Sequence, residues 1–98
     1  MWDKLKEQFN ILKLEKKKLY LVTNSDKFVS QDDFLNASAS ALQGGVDILQ
    51  LREKSIPDGV FVEIAHKMRT LCDEYGATFI INDRIDIAKI VKADGVHL

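Results

Sequence analysis

Gln50, Arg52 and Lys54 occupy alternate positions of the run Gln50-Leu51-Arg52-Glu53-Lys54, directly after the apolar Val46-Asp47-Ile48-Leu49. Alternate side chains of an extended chain share a face. An amide, a guanidinium and an ammonium therefore line up beside Ile48, while Leu49 and Leu51 take the other side. Three donors converging at the C-terminal end of a strand suit a phosphorylated ligand. The Arg fork matches phosphate oxygens, and Lys supplies a compact point charge. An edge strand displaying solvated charges gives the same pattern, so the surrounding elements have to decide.

A second group lies at Asn82-Asp83, where the apolar run Thr78-Phe79-Ile80-Ile81 stops. A carboxylate at a strand end, across a rim from Arg52 and Lys54, is placed to hold Mg²⁺ against a diphosphate. That ion takes one or two protein carboxylates and completes its shell with phosphate and water. Asp83 is equally well placed to cap the helix that follows, and the two roles are compatible. His97 is open: a strand histidine can face a barrel interior or pack neutrally.

The elements that must position these groups alternate. Leu19-Tyr20-Leu21-Val22-Thr23 is a β-branched and aromatic strand ending at the loop Asn24-Ser25-Asp26. Ser30 caps a helix, with Asp33 at the capping-box position, and Phe34, Leu35, Ser38, Ala41 and Leu42 form its buried face. Gly44-Gly45 ends it. A second strand runs from Val46 into the Gln50–Lys54 stretch. Pro57-Asp58 opens a helix whose apolar face is Val60, Phe61, Ile64, Ala65, Met68, Leu71, Cys72 and Tyr75, with His66 on the surface and Gly76 as the stop. The strand over 78–82, a short helix through Ile87, Ala88 and Val91, and a fourth strand from Gly95 follow. Ahead of all these, Trp2, Leu5, Phe9 and Leu12 recur at intervals of three and four. That spacing predicts an N-terminal amphipathic helix over 1–17, which covers an apolar surface or meets a partner.

Strand and helix alternating with nearly continuous apolar strands is the pattern of a parallel sheet covered by helices. Right-handed crossovers bring every C-terminal strand end to one rim, where such sheets bind ligands. Asn24, Arg52, Lys54, Asn82 and Asp83 all fall there, which favours the phosphate site over solvated charge. No Gly-x-Gly-x-x-Gly follows the first strand and there is no Gly-x-x-x-x-Gly-Lys loop, so a (β/α) barrel fits better than a dinucleotide-binding fold.

Composition narrows the class further. A 98-residue chain of 46% apolar and 30% charged residues is one domain or part of one, and is too apolar for disorder. The formal charge of −1 leaves no electrostatic footprint for nucleic acid or an anionic membrane, and Lys16-Lys17-Lys18 is read as the solvated end of a helix. No apolar run approaches the roughly 18 residues of a membrane span, and no signal-peptide pattern opens the chain. The single cysteine, Cys72, excludes an internal disulfide and reads as a packed thiol. A cytoplasmic protein is expected.

Taken together, Leu19-Tyr20-Leu21-Val22-Thr23, Gly44-Gly45-Val46-Asp47 leading to Gln50-Leu51-Arg52-Glu53-Lys54, Ile81-Asn82-Asp83-Arg84-Ile85-Asp86-Ile87-Ala88 and Ala93-Asp94-Gly95-Val96-His97-Leu98 resemble thiamine phosphate synthases. The resemblance implies the N-terminal half of a (β/α)₈ TIM barrel. Residues 1–98 would form one partial domain of four parallel strands and three crossover helices, plus the N-terminal helix. It also implies an enzyme of thiamine biosynthesis that joins hydroxymethylpyrimidine diphosphate to a thiazole phosphate and releases diphosphate. Gln50, Leu51, Arg52, Glu53, Lys54 and Asn82 would contact the pyrimidine diphosphate, with Arg52 and Lys54 catalytic, and Asp83 would bind Mg²⁺. Such a barrel needs roughly 200–250 residues, and the family's second metal-binding aspartate would follow Leu98. The chain is therefore expected to be incomplete as a synthase, and to self-associate or pair with a complementary half-barrel. A thiazole tautomerase shares the barrel and much of the Asn-Asp-Arg region, but has less need of the cations of 50–54. A non-catalytic phosphate-binding or assembly fragment is the third possibility.

Overall fold

The computed structural model describes residues 10–13 and 18–98. A five-stranded sheet runs in the order β1 (Asn10–Lys13), β2 (Leu19–Thr23), β3 (Ile48–Leu51), β4 (Thr78–Asn82), β5 (Gly95–His97). β2 to β5 are parallel in succession, and β1 is antiparallel to β2. Helices α1 (Gln31–Gln43), α2 (Asp58–Tyr75) and α3 (Ile85–Val91) are the three crossovers. The four parallel strands with their helices are the expected part of a (β/α) barrel.

Period-two alternation assigns the sheet's two faces. Leu21, Thr23, Leu49, Leu51, Phe79 and Ile81 are completely buried and meet Phe34, Ala41, Phe61, Ala65, Met68 and Ile87 from the helices. Tyr20, Val22, Ile48 and Ile80, on the alternate positions, are only half-buried. The second face is thus the open one.

Local signals act as their chemistry requires. Ser30 Oγ accepts from the backbone N–H of Asp33 at 3.1 Å and starts α1. Gly76 closes α2 in the left-handed conformation, φ 68°. Val60 and Tyr75 are exposed, not buried as the spacing suggests; they sit in the first and last turns of α2, at the margins of its apolar stripe.

The helix expected over 1–17 is corrected where the structure describes it. Asn10–Lys13 is a strand, and the rest of that expectation lies outside the described residues. The physical reason is the bare edge of β2. Its backbone groups need partners, and an antiparallel segment supplies them at four registered positions, Asn10 opposite Val22 through Lys13 opposite Leu19.

At the N-terminal end of the sheet one device occurs twice. Asp47, just before β3, accepts the N–H of Leu19 on its carboxylate at 3.0 Å and donates its own N–H to the Leu19 carbonyl at 3.1 Å. Asp94, just before β5, does the same with Phe79, at 2.8 Å in both directions. Asp94 also pairs with Arg69 at 3.1 Å, whose guanidinium lies 5.5 Å from the Phe79 ring centre. The Phe79 N–H, then Arg69, hold the Asp94 carboxyl below the ordinary carboxylate range. Asp94→Ala should destabilise the fold by about 1–3 kcal/mol, chiefly because it strands the Phe79 backbone N–H; Arg69 loses one carboxylate partner and keeps Asp73 at 2.7 Å. Folding lowers this pKa, so the stabilisation is present above the ordinary value of 3.8 and is lost as pH falls through the folded one. Urea unfolding should therefore separate wild type from Asp94→Ala at pH 7, with the gap closing progressively below pH 3.8.

Candidate functional site

Two loops meet at the C-terminal rim. β3 ends at Leu51, so Arg52, Glu53 and Lys54 lie just beyond the strand. Arg52 still donates its N–H to the Thr23 carbonyl at 2.9 Å, which carries the ladder one step further. Exposure goes on alternating past the strand: Leu51 is buried, Arg52 exposed, Glu53 buried and Lys54 exposed. The two cations thus reach solvent. Glu53 turns inward and accepts the N–H of Ser25 at 2.7 Å, tying the β2 loop to the β3 loop. Leu51 points into the helix-covered core.

β4 leads directly into Asp83. Its backbone is left-handed, φ 63°, in a tight turn closed by the Arg84 N–H on the Asn82 carbonyl at 2.7 Å, and its own N–H binds the His97 carbonyl at 2.8 Å. A non-glycine residue held there is strained, and aspartate is among the few that tolerate it. The turn delivers the carboxylate to Lys54, with Nζ to Oδ2 at 2.6 Å. The Lys54 hydrogen bond and charge, then the Arg52 and His97 charges, hold the Asp83 carboxyl below the usual range. Asp83 is therefore an ionised carboxylate in a cationic surround. It does not cap α3, whose N-cap position is Arg84, without a side-chain cap bond.

Arg84 instead fixes the loop. It binds Asp58 at 2.8 and 3.2 Å and Asp86 at 3.1 and 2.9 Å, with its guanidinium 5.9 Å from the Phe61 ring centre. The start of α2 and the β4–α3 turn are thereby cross-linked beneath the site.

On the open face a polar row crosses all four parallel strands. Gln50 Nε2 donates to Tyr20 Oη at 2.6 Å, and Gln50 Oε1 accepts from Asn82 Nδ2 at 3.0 Å. Asn82 Nδ2 also lies 3.4 Å from His97 Nδ1 and 3.5 Å from the His97 carbonyl. A backbone carbonyl can only accept, so it turns the Asn82 nitrogen toward β5, and Gln50 follows in the same sense. The row leaves one group over: Asn82 Oδ1 is buried and has no partner among the described residues. A buried lone acceptor costs free energy unless a bound group donates to it.

The structure thus brings together Gln50, Asn82, Arg52, Lys54 and Asp83, while it places Leu51 in the core and Glu53 in a loop tether. Sequence reasoning missed Tyr20 as a member of the row and left His97 undecided. The parity of Tyr20 with Val22 was readable, but its level relative to Gln50 depends on the β2–β3 register, Tyr20 opposite Ile48. Among the described residues no three acidic, histidine or cysteine side chains gather as a metal cage. A lone ionised carboxylate suffices for Mg²⁺ only where phosphate and water fill the remaining positions, and the neighbouring cations make that rim suitable for phosphate. Lys54→Met should raise the Asp83 carboxyl pKa toward its ordinary 3.8, read from the side-chain carbonyl shift by NMR. An unmoved titration would show that the pair is absent in solution.

Residues 19–98 match the thiamine monophosphate synthase family. Thiamine-phosphate synthase of Nostoc sp. is 48% identical over 85 residues, which span 87% of this chain and 23% of that protein. The Fusobacterium nucleatum enzyme of the same name is 47% identical over 81 residues, covering 83% of this chain and 39% of the relative. Thiamine phosphate pyrophosphorylase from Pyrococcus furiosus superposes with a TM-score of 0.70 at 35% identity, covering 81% of this chain and 37% of that one. The chain therefore spans between about a quarter and two-fifths of the relatives it matches. Over that span its strands, helices and rim loops are those of a partial (β/α) barrel, and the chain belongs to the thiamine monophosphate synthase family.

Proposed function

We propose that the chain supplies the diphosphate-binding side of a thiamine phosphate synthase, the whole barrel coupling hydroxymethylpyrimidine diphosphate to a thiazole phosphate. The observation that carries this reading is the Lys54–Asp83 pair at 2.6 Å, with the Arg52 charge acting on the same carboxylate. Two cations and an ionised carboxylate converge at one rim, as a metal-assisted diphosphate site needs.

In this reading Arg52 and Lys54 take the outer diphosphate oxygens, Arg52 as a fork and Lys54 as a point charge. Asn82 Oδ1, buried and without a partner, accepts from the amino group of the pyrimidine, while Gln50 keeps the Asn82 amide turned the right way. Asp83 is the residue of this chain that would hold Mg²⁺, which, when bound, neutralises charge on the leaving diphosphate. The C–O bond of the pyrimidine methylene breaks with its electron pair leaving on the diphosphate, and the lone pair of the thiazole nitrogen forms the new C–N bond. No protein nucleophile takes part. Arg52 and Lys54 act by standing ready where negative charge builds. Leu51 and Glu53 contribute through packing and through the Ser25 tether.

A cytoplasmic setting suits the one thiol: Cys72 is fully buried and burial pushes it up to about 12, so it stays protonated and inert. No helix of the described residues is long and apolar enough to cross a membrane.

Calorimetric titration with hydroxymethylpyrimidine diphosphate, with and without Mg²⁺, tests the reading. Binding should require Mg²⁺. Arg52→Ala and Lys54→Ala should each weaken it by about 10–100-fold, the worth of a charge-assisted hydrogen bond. Asp83→Ala should abolish the Mg²⁺ dependence. Binding that ignores Mg²⁺ in the wild type sinks the metal assignment. Absence of binding to this diphosphate with Mg²⁺ present sinks the synthase reading.

A further inference from the structure

Below the polar row, the open face of the sheet carries a gap. Ile80 precedes Asn82 by two residues on β4, so both side chains stand on that face, Ile80 one level further from the rim. Gly95 of β5 lies opposite Ile80 in the parallel register. A Cβ at Gly95 would come within 2.9 Å of Ile80 Cδ1, closer than real side chains pack, whereas Gly45, Gly59 and Gly76 have nothing within 4 Å of the same position. Gly95 has no positive φ, so its missing side chain answers to space and not to backbone conformation. Ile80 thus lies low across the bare backbone of β5. Above it stands Asn82 Oδ1, buried and without a partner among the described residues. A ring whose amino group reaches that oxygen lays its apolar body over the next open-face position of the same strand, which is Ile80.

We infer that Gly95 is a specificity-determining residue: by carrying no side chain it keeps Ile80 low enough for the flat pyrimidine ring to reach Asn82. On the ligand reading proposed above, on which this rests, Gly95 and Ile80 together set the depth of the ring site. A methyl group at position 95 meets only the tip of a rotatable side chain. It therefore turns Ile80 up off the sheet, or toward Gln50, its register neighbour on the other side, and leaves the strand intact. Either movement puts the tip into space the ring needs, and close-packed contacts register shifts of about 1 Å. Arg52, Lys54 and Asp83 lie in the rim loops, away from this contact, and keep their places. The ring and the diphosphate are thus read by separate residues, one level apart.

Calorimetric titration of wild type and Gly95→Ala with hydroxymethylpyrimidine diphosphate and with inorganic diphosphate, Mg²⁺ present throughout, provides the test. Gly95→Ala should stay folded by circular dichroism. It should bind the pyrimidine diphosphate at least about tenfold more weakly, and inorganic diphosphate within about twofold of wild type. Adding Ile80→Val removes the contacting Cδ1 atom, and should return the affinity for the pyrimidine diphosphate to within about threefold of wild type. A Gly95→Ala variant that is unfolded, that binds the pyrimidine diphosphate as wild type does, or that loses both ligands alike overturns the inference. So does a loss that Ile80→Val leaves in place. With wild type binding the pyrimidine diphosphate, each of these results removes the role of Gly95 and leaves the ligand reading standing. A wild type that fails to bind it ends both.

Discussion

The β3–β4 register governs everything above it. Leu51 stands opposite Ile81 and Gln50 opposite Ile80, so the two strands end level and their loops emerge at the same height. Lys54 then meets Asp83, and the Gln50 amide meets the Asn82 amide two residues beyond Ile80, on the same face. Slipping the pairing by one residue would send Asn82 into the helix-covered face and expose Ile81. Burial forbids this, because Leu49, Leu51, Phe79 and Ile81 are all fully enclosed against α1, α2 and α3. Hydrophobic packing on one side of the sheet therefore sets the position of charge at its end.

Loops carry the charged groups of the rim, yet they are held from several directions. Glu53 fastens the β2 loop, Arg84 fastens the β4–α3 turn to the start of α2, and the His97 carbonyl receives the Asp83 N–H. The left-handed Asp83 is an unfavourable backbone state that these contacts sustain. A carboxylate delivered by a constrained turn needs little reorganisation to meet an opposite charge. That is the economy of preorganised electrostatics.

The amino-acid sequence made the parallel strands, the helices and the rim legible for a simple reason. Each is encoded locally: period-two and period-3.6 patterns, the Ser30 cap, the stop at Gly76. The convergence of Arg52, Lys54 and Asp83 was legible too, since strand ends of a parallel sheet share one side. What escaped depends on long-range register. Tyr20 joins the polar row only because β2 and β3 pair at one particular offset, and Glu53, which looks like part of a charged ligand-binding stretch, turns inward to a backbone N–H 28 residues earlier. Asn10–Lys13 escaped for a different reason. Its spacing with Trp2, Leu5 and Phe9 is helical, but a vacant ladder edge offers backbone bonds that override a short segment's own preference.

Asp47 and Asp94 have a further meaning when seen as a pair. Each binds the first or second residue of the preceding strand through both a backbone and a carboxylate contact, and they recur on alternate strands. The end of the sheet remote from the rim is thereby stitched at a regular two-strand interval, independent of whatever the opposite loops contain. A scaffold fastened in that way can accept new loop sequences without re-solving how its strands align, and its architecture can outlast changes in its chemistry.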